Sequence, residues 1–566
     1  MNNSETERPL RAPESCVLDS HGHDAIRSIH ESMADMLSGT IKDPRYHLAS
    51  VDPGTGKTAA LCSFLKGWKA DNFMPSRGAL IVLSTHKEIE DCIARSDLKP
   101  CDFAILVKKD HPLNERGLSV ADLAPVLFTT QEKLRRLCVG KSFAEVSSLH
   151  YRGQPRRLRV WDEAFLPATG ETIRKDTLVQ PLEALRPVAP QAVGVLESLA
   201  DSLSAETVGS VVEVPRAARD SYKALYGQFG TGAERWSALD RLAGLPAVVT
   251  ESNREGLGIA GAALFLPTDF APALILDASG RVRETYKTME ASGIVKRLPS
   301  GTRDYSNLHI HHWDRAASRS ALSDPSARQE VLGAAAATIN ASGGEEPWLI
   351  IHLQDKAACR VREELTALVD DPARLSWLHW GNHHGTNAYR QIRKVMVIGL
   401  LTLPGPAYSA LHVASGGSMA LATDKAALGT LKAGEHRHNL LQAICRASVR
   451  NGTDGACGEC AVYLVGKLGS NAEGLLAETF PGAQVTSWFP AGLDMPASIR
   501  RVTLEIEAQL SVPGVRKIGK AAVRAALGYR TTAGLSKVLA GEPFRAWADS
   551  KGLEVTTRGF AWREAA

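Results

Sequence analysis

The sequence predicts an α/β protein built from two successive parallel-sheet units, with a helical insertion in the first and a small helical C-terminal domain. Three observations predict it. Short apolar runs alternate with helical stretches twice along the chain, the pattern of parallel strands covered on both faces. Helix-like periodicity from 165 to about 262 interrupts the first series before its last strand. The final segment, from 491 onward, is mostly helical and basic. A chain of 566 residues is also too long for one core, and divides into roughly three to four domains at about 150 residues each.

Taken in order, residues 1–40 form a tail and a helix, since Ile26, Ile29, Met33, Met36 and Leu37 recur at helical spacing and Gly39 supplies a stop. The first unit, 41–290, carries strands at YHLASV, ALIVLST (79–85), FAILV (103–107), PVLFTT (125–130), RLRVWDEA (157–164) and ALILDAS (273–279). Their polar residues fall at the carboxyl ends, where parallel sheets hold ligands. The second unit, 291–490, repeats the pattern in NLHIHHW, PWLIIHLQD (347–355), RLSWLHW (374–380), RKVMVIGLL (393–401) and CAVYLVGKL (460–468). Residues 491–566 read as the basic helical domain.

Bulk properties narrow the class. A formal charge of +4 is nearly balanced over this length, so an anionic partner requires a local basic patch. Nine scattered cysteines, an odd number, fit reduced thiols better than a disulfide framework. No run of about 18 apolar residues exists to span a membrane. The first residues, MNNSETERPLRAPES, carry no apolar signal core. The expectation is a cytoplasmic protein with no membrane partner.

The stretch SVDPGTGKT (50–58) lies between a strand and a helix, the context in which backbone N–H groups cradle phosphate. Gly54, Thr55 and Gly56 form the curl, Lys57 would reach the β- and γ-phosphates, and the Thr58 hydroxyl would hold Mg²⁺. Val51 stands where the eight-residue phosphate-loop template has glycine. Read alone, the stretch is equally a glycine-rich turn with a solvated lysine. Asp162 and Glu163 end a later apolar strand, where the first carboxylate can bind Mg²⁺ and the second can orient or deprotonate water. Far downstream, Gln442, Arg446 and Arg450 recur at i, i+4 and i+8, as on one helix face, and guanidiniums there can stabilise a transferring phosphoryl group.

In this order the three motifs resemble those of superfamily 2 helicases and translocases. That family's DEAD-box branch has A-x-x-G-x-G-K-T, with glycines at Gly54 and Gly56 and none at Val51. Its acidic D-E-x-x motif is matched by Asp162, Glu163, Ala164 and Phe165, and its arginine motif by Gln442, Arg446 and Arg450, with Cys445 at a usual glycine or histidine. Weaker pieces follow the same order. Ser84 and Thr85, and Thr129 and Thr130, stand where the family touches nucleic acid. Asp277, Ala278 and Ser279 stand where it couples hydrolysis to that contact, and Gly385, Thr386 and Asn387 resemble its fifth motif. The box is DEAF, which departs from DEAD and DEAH, and no glutamine motif for adenine precedes the loop.

The resemblance implies two tandem RecA-like P-loop domains hydrolysing ATP with Mg²⁺ between them. It implies a nucleic-acid partner, DNA more than RNA, and protein partners in a replication, mobile-element or defence complex. An ATPase switch without a nucleic-acid substrate and a non-catalytic DNA-binding protein are the alternatives. From Ser511 onward there are ten Lys and Arg against four Asp and Glu. GVRKIGKAAVRAALGYRTTAGLSKVL has a helix–turn–helix texture, offering Lys517, Lys520, Arg524, Arg530 and Lys537 to phosphates, with Trp547 and Trp562 able to pack or stack. Cys457 and Cys460 have zinc spacing without a second pair, and neither they nor His309, His311, His312, His383 and His384 are assigned a metal.

Overall fold

The computed structural model describes residues 20–562 apart from 72, 74–76, 254–255, 357–358, 382–387, 453–454, 491–496, 513 and 530. His383, His384, Gly385, Thr386, Asn387 and Arg530 therefore lie outside the described residues. The chain forms two compact units, the first running to Thr302 and including Thr402–Asn439, the second holding Arg303–Leu401 and the residues from Leu440 onward. No helix among the described residues is long and apolar enough to cross a membrane.

The first unit contains β1 (Tyr46–Ala49), β2 (Ala79–Leu83), β3 (Phe103–Leu106), β4 (Val126–Thr130), the short pair β5 (His150–Tyr151) and β6 (Gln154–Pro155), and β7 (Leu158–Asp162). It continues with β8 (Ala168–Arg174), β9 (Val211–Glu213), β10 (Pro246–Ser252), β11 (Gly256–Leu264), β12 (Ala273–Leu276) and β13 (Val295–Arg297). Its main sheet has the order β13-β1-β12-β7-β2-β4-β3, and every pairing in it is parallel. β1, β2 and β12 are buried along their whole length, which is why they read as unbroken apolar runs rather than alternating ones. The N-terminal helix Ser20–Ser38 buries Ile26, Ile29, Met33, Met36 and Leu37 on this core and ends at Gly39, whose φ is 79°.

The insertion is helical, as expected, but it also carries an antiparallel sheet of order β8-β11-β10-β9. Helices Pro190–Ala205 and Ala218–Phe229 belong to its core through Leu196, Leu199 and Leu225. Helix Gly405–Ala414 lies against this sheet, and a Cβ on Gly170 would stand 2.8 Å from the Ala410 carbonyl carbon. That close approach ties Thr402–Asn439 to the first unit although its sequence neighbours belong to the second. The boundary between the units falls inside the helix Lys425–Ile444.

The second unit contains β14 (Leu308–Trp313), β15 (Trp348–His352), β16 (Leu375–His379), β17 (Lys394–Ile398), β18 (Cys460–Val465) and β19 (Gln484–Ser487). They form one parallel sheet of order β16-β15-β17-β18-β14-β19. Its C-terminal module has helix Ala497–Leu510, β20 (Lys517–Gly519), helices Lys520–Ala526, Thr532–Leu539 and Glu542–Ser550, then β21 (Leu553–Val555) and β22 (Gly559–Trp562). The strand order β20-β22-β21 adds a small antiparallel sheet to the helices expected for this region. Val523, Phe544 and Phe560 sit at its centre.

Candidate nucleotide site

β1 delivers the chain into the loop 50–56 and the helix Lys57–Ala70 receives it. Gly54 has φ 82° and Gly56, the N-cap, has φ 108°, both left-handed, so a side chain at either would strain the turn. The helix has no side-chain cap, which leaves its first N–H groups directed into the loop. Val51 does not take part in the curl. It extends β1 by bridging Gly301 and is fully buried in the main core, so the position selects for a buried apolar side chain. Thr55 is also turned inward, its hydroxyl donating to the Asp52 carbonyl at 2.6 Å. The Lys57 ammonium folds back to donate to the carbonyls of Val51 and Asp52.

β7 brings Asp162 to this loop, where the Thr58 hydroxyl donates to its carboxylate at 3.3 Å. Asp162 is buried, and desolvation, reinforced by the neighbouring Glu163 and by Glu88, pushes its carboxyl up to about 7 against the pull of Lys57. A buried carboxylate one hydrogen bond from a hydroxyl is a donor pair suited to a hard divalent cation that takes its remaining ligands from phosphate and water. Among the described residues no group of three or more His, Cys, Asp or Glu side chains is arranged to hold a metal. Glu163 has φ 77° and donates its N–H to Leu276 at 3.0 Å. A glutamate held left-handed is strained, as residues at functional sites often are.

Two residues that the sequence reading passed over hold these parts together. Gln131 donates its amide to both Ser84 Oγ (3.0 Å) and the Asp162 carbonyl (2.8 Å), joining the ends of β2 and β7. Tyr286, fully buried, accepts from the Phe165 N–H at 2.9 Å and donates to Asp277 at 2.7 Å. Asp277 also accepts from the Ser279 hydroxyl, so the DEAF box and the Asp277 motif share one buried network. Nothing in the local spacing of Gln131 or Tyr286 marks them, because their partners lie 31 and 121 residues away.

The other expected residues fall as follows. Thr85 and Thr130 are helix N-caps, for His86–Arg95 and Gln131–Cys138. Thr129 is fully buried and its hydroxyl donates to Leu106, which removes it from any surface contact. Gln442 and Arg446 are buried, with the guanidinium donating to the amide oxygen at 3.3 Å. The expected single helix face is not formed: the helix ends at Ile444, and Arg450 lies in the separate turn Ser448–Arg450. Asn451 N–H closes that turn on Ser448. Lys517 lies on β20 rather than on a helix, Lys520 opens the following helix 6.0 Å from the Phe560 ring, and Arg524 lies in its last turn. His311 stacks on Tyr463 and His312 bonds the Gly466 carbonyl. Burial pushes the Cys457 thiol up to about 11 and Cys460 to about 12.

No family model and no curated protein matches the sequence. Among solved structures, the chain is similar in fold to an apo XPD structure at 12% identity, over 81% of this chain and 99% of that one, with a TM-score of 0.45. It is similar to S. cerevisiae Dbp5 bound to RNA and ADP BeF3 at 12% identity, over 83% and 94%, with a TM-score of 0.35. It is also similar to the Mycobacterium smegmatis helicase Lhr bound to ssDNA and AMP-PNP at 13% identity, over 95% and 60%, with a TM-score of 0.31. Likenesses at this level leave the function to be read from the residues themselves.

Proposed function

We propose that the chain is an ATP-dependent nucleic-acid translocase or helicase of superfamily 2 type, acting on DNA more than RNA. The observation that carries this reading is the meeting of Thr58 and Asp162 at 3.3 Å across 104 residues of sequence, beside a loop whose two glycines are left-handed. A glycine-rich turn with a solvated lysine has no need of a buried carboxylate from another strand. A phosphate-binding site does.

The roles follow from position. Gly54 and Gly56 let the loop N–H groups and the helix N-terminus face phosphate oxygens. Lys57 exchanges the carbonyls of Val51 and Asp52 for the β- and γ-phosphates. Thr58 and Asp162 would hold Mg²⁺, which when bound supplies charge neutralisation for the phosphates. Glu163, one residue beyond Asp162 and strained away from the strand path, orients the attacking water or takes its proton. Gln442, Arg446 and Arg450 are assigned to the charge that develops on the transferred phosphoryl group. Ser84, Thr85 and Thr130, at the carboxyl ends of β2 and β4, are assigned with Lys517, Lys520 and Arg524 to the nucleic acid.

ATP turnover measured with a panel of single- and double-stranded DNA and RNA tests the reading. Turnover stimulated by a polymer, with DNA the stronger, and abolished in Lys57→Ala is the expected result. Normal hydrolysis by Lys57→Ala overturns the site. Turnover indifferent to every polymer assigns the chain instead to a nucleotide-gated switch.

A further inference from the structure

We propose that the Arg283–Glu435 ion pair is a positioning clamp that sets the hydrolysis rate by joining the segment behind the phosphate loop to the helix that carries Gln442. The inference rests on the functional reading above and names a regulatory element of that same site.

Residues 277–284 lie between two contacts within the first unit. Toward the phosphate loop, Arg281 grips the fully buried Asp52 with two hydrogen bonds of 2.8 and 3.1 Å. A Cβ on Gly280 would stand 2.8 Å from Ser50 Cβ, so the Gly280 backbone packs directly on the Ser50 side chain. Toward the helix Lys425–Ile444, Arg283 grips Glu435 in the same forked manner, at 2.6 and 3.0 Å. Arg437 donates to the Val282 carbonyl at 3.1 Å, and a Cβ on Gly434 would stand 2.6 Å from Glu284 N. Arginines 281 and 283 therefore face opposite partners from one short, tightly held stretch.

The same stretch contains Asp277 and Ser279, whose network reaches Phe165 of the DEAF box through Tyr286. Glu435 precedes Gln442 by seven residues on one helix, two turns along the same face. A shift of the phosphate loop on taking up nucleotide thus passes through two bidentate contacts to the first-unit part of the helix Lys425–Ile444, which continues to Gln442. Packed, forked contacts of this kind switch between discrete arrangements rather than stretching. Burial acts against the Arg283 charge, but Glu435 outweighs it and holds the guanidinium more firmly protonated than usual. Removing the carboxylate charge alone leaves that buried cation uncompensated.

The test uses the full chain as Glu435→Gln and as the double Arg283→Gln/Glu435→Gln. Binding of a fluorescent ATP analogue and single-turnover hydrolysis per bound nucleotide are measured with and without DNA, so an unfolded fraction cannot imitate slow chemistry. Glu435→Gln is expected to bind nucleotide within about twofold of the unaltered chain while turnover per bound nucleotide falls about tenfold. The double variant is expected to lose no more than the worse single, Arg283→Gln included. Unchanged turnover per bound nucleotide in Glu435→Gln, or losses that multiply in the double, overturns the clamp. A chain with no Lys57-dependent turnover at all overturns the functional reading instead. Lys57-dependent turnover that ignores Glu435 overturns the clamp alone.

Discussion

Glu163 holds φ at 77°, a conformation that costs a residue with a side chain about 1–2 kcal/mol. On the proposed function this position has two separable contributions, chemistry from the carboxylate and destabilisation from the backbone. Glu163→Gln is expected to lower turnover by about 10²–10⁴ while leaving nucleotide binding intact, the range for losing a positioned general base. Glu163→Gly is expected to be the more stable of the Gly and Ala variants by about 1 kcal/mol, since only glycine adopts the turn freely. Thermal melts of the two decide it, and an alanine variant that melts higher removes the strain from the account. Val51 carries the opposite lesson. It is fully buried and extends β1, so Val51→Gly, which would complete the sequence template, is expected to destabilise by about 2 kcal/mol or more and to leave turnover no faster. Denaturant titration and the ATPase rate read the two effects separately.

Much of the architecture is visible at the level of elements because strands buried on both faces leave continuous apolar runs. All six strand segments expected for the first unit and all five expected for the second contain strands. Three of the strands passed over are of another kind. β11 is the glycine- and alanine-rich GLGIAGAAL, and β13 and β19 are short edge strands of three and four residues. The glycine turn between β1 and its helix, and the strand that ends in Asp162, are legible for a similar reason, since strand ends and glycine spacing are local features. The helix break at Ile444 is not legible, because Gln442, Arg446 and Arg450 keep helical spacing past the point where the helix stops. Gln131, Tyr286 and Glu435 act on partners brought near only by the fold.

The C-terminal module depends on one more such pairing. Helix Glu542–Ser550 places the Glu542 carboxylate on the Asp314 N–H at the end of β14. Desolvation, with the Asp314 charge alongside, pushes the Glu542 carboxyl up to about 7, outweighing that hydrogen bond. Its folded pKa lies above the unfolded one, about 4.3, so the folded state keeps a proton that the unfolded state releases. The associated stability is complete below the unfolded value and is lost as pH rises through about 7. Glu542→Gln is therefore expected to raise the melting temperature more at pH 8 than at pH 5. Equal shifts at the two pH values would show that the carboxyl titrates normally.

At the scale of the whole molecule, a formal charge of +4 over 566 residues supplies no general field to attract a polyanion. The proposed binding to nucleic acid must then come from places where basic groups are concentrated, and the segment after Ser511, with ten Lys and Arg against four Asp and Glu, is such a place. Within the C-terminal module the β20–β22 pairing brings the two ends of this segment together: Lys520 N–H donates to the Arg558 carbonyl at 3.0 Å, and Lys517 pairs with Ala561. Lys517 and Arg558 are exposed and Lys520 and Arg524 half-exposed; Lys517, Lys520 and Arg558 sit at the β20–β22 edge of the module, and Arg524 lies one helical turn beyond Lys520. Each phosphate neutralised on duplex DNA releases condensed counterions and steepens the fall of log K with log[salt] by about 0.9. If these residues lie on the polymer, changing Lys517, Lys520 and Arg524 together to alanine should flatten that slope by up to about 2.7. Anisotropy titrations of a labelled duplex over a range of salt concentrations measure it. Weaker binding with the slope unchanged would place the duplex elsewhere and leave the module a structural attachment, whereas a flattened slope with sequence-independent affinity would mark the edge as the part of the molecule that holds the DNA backbone.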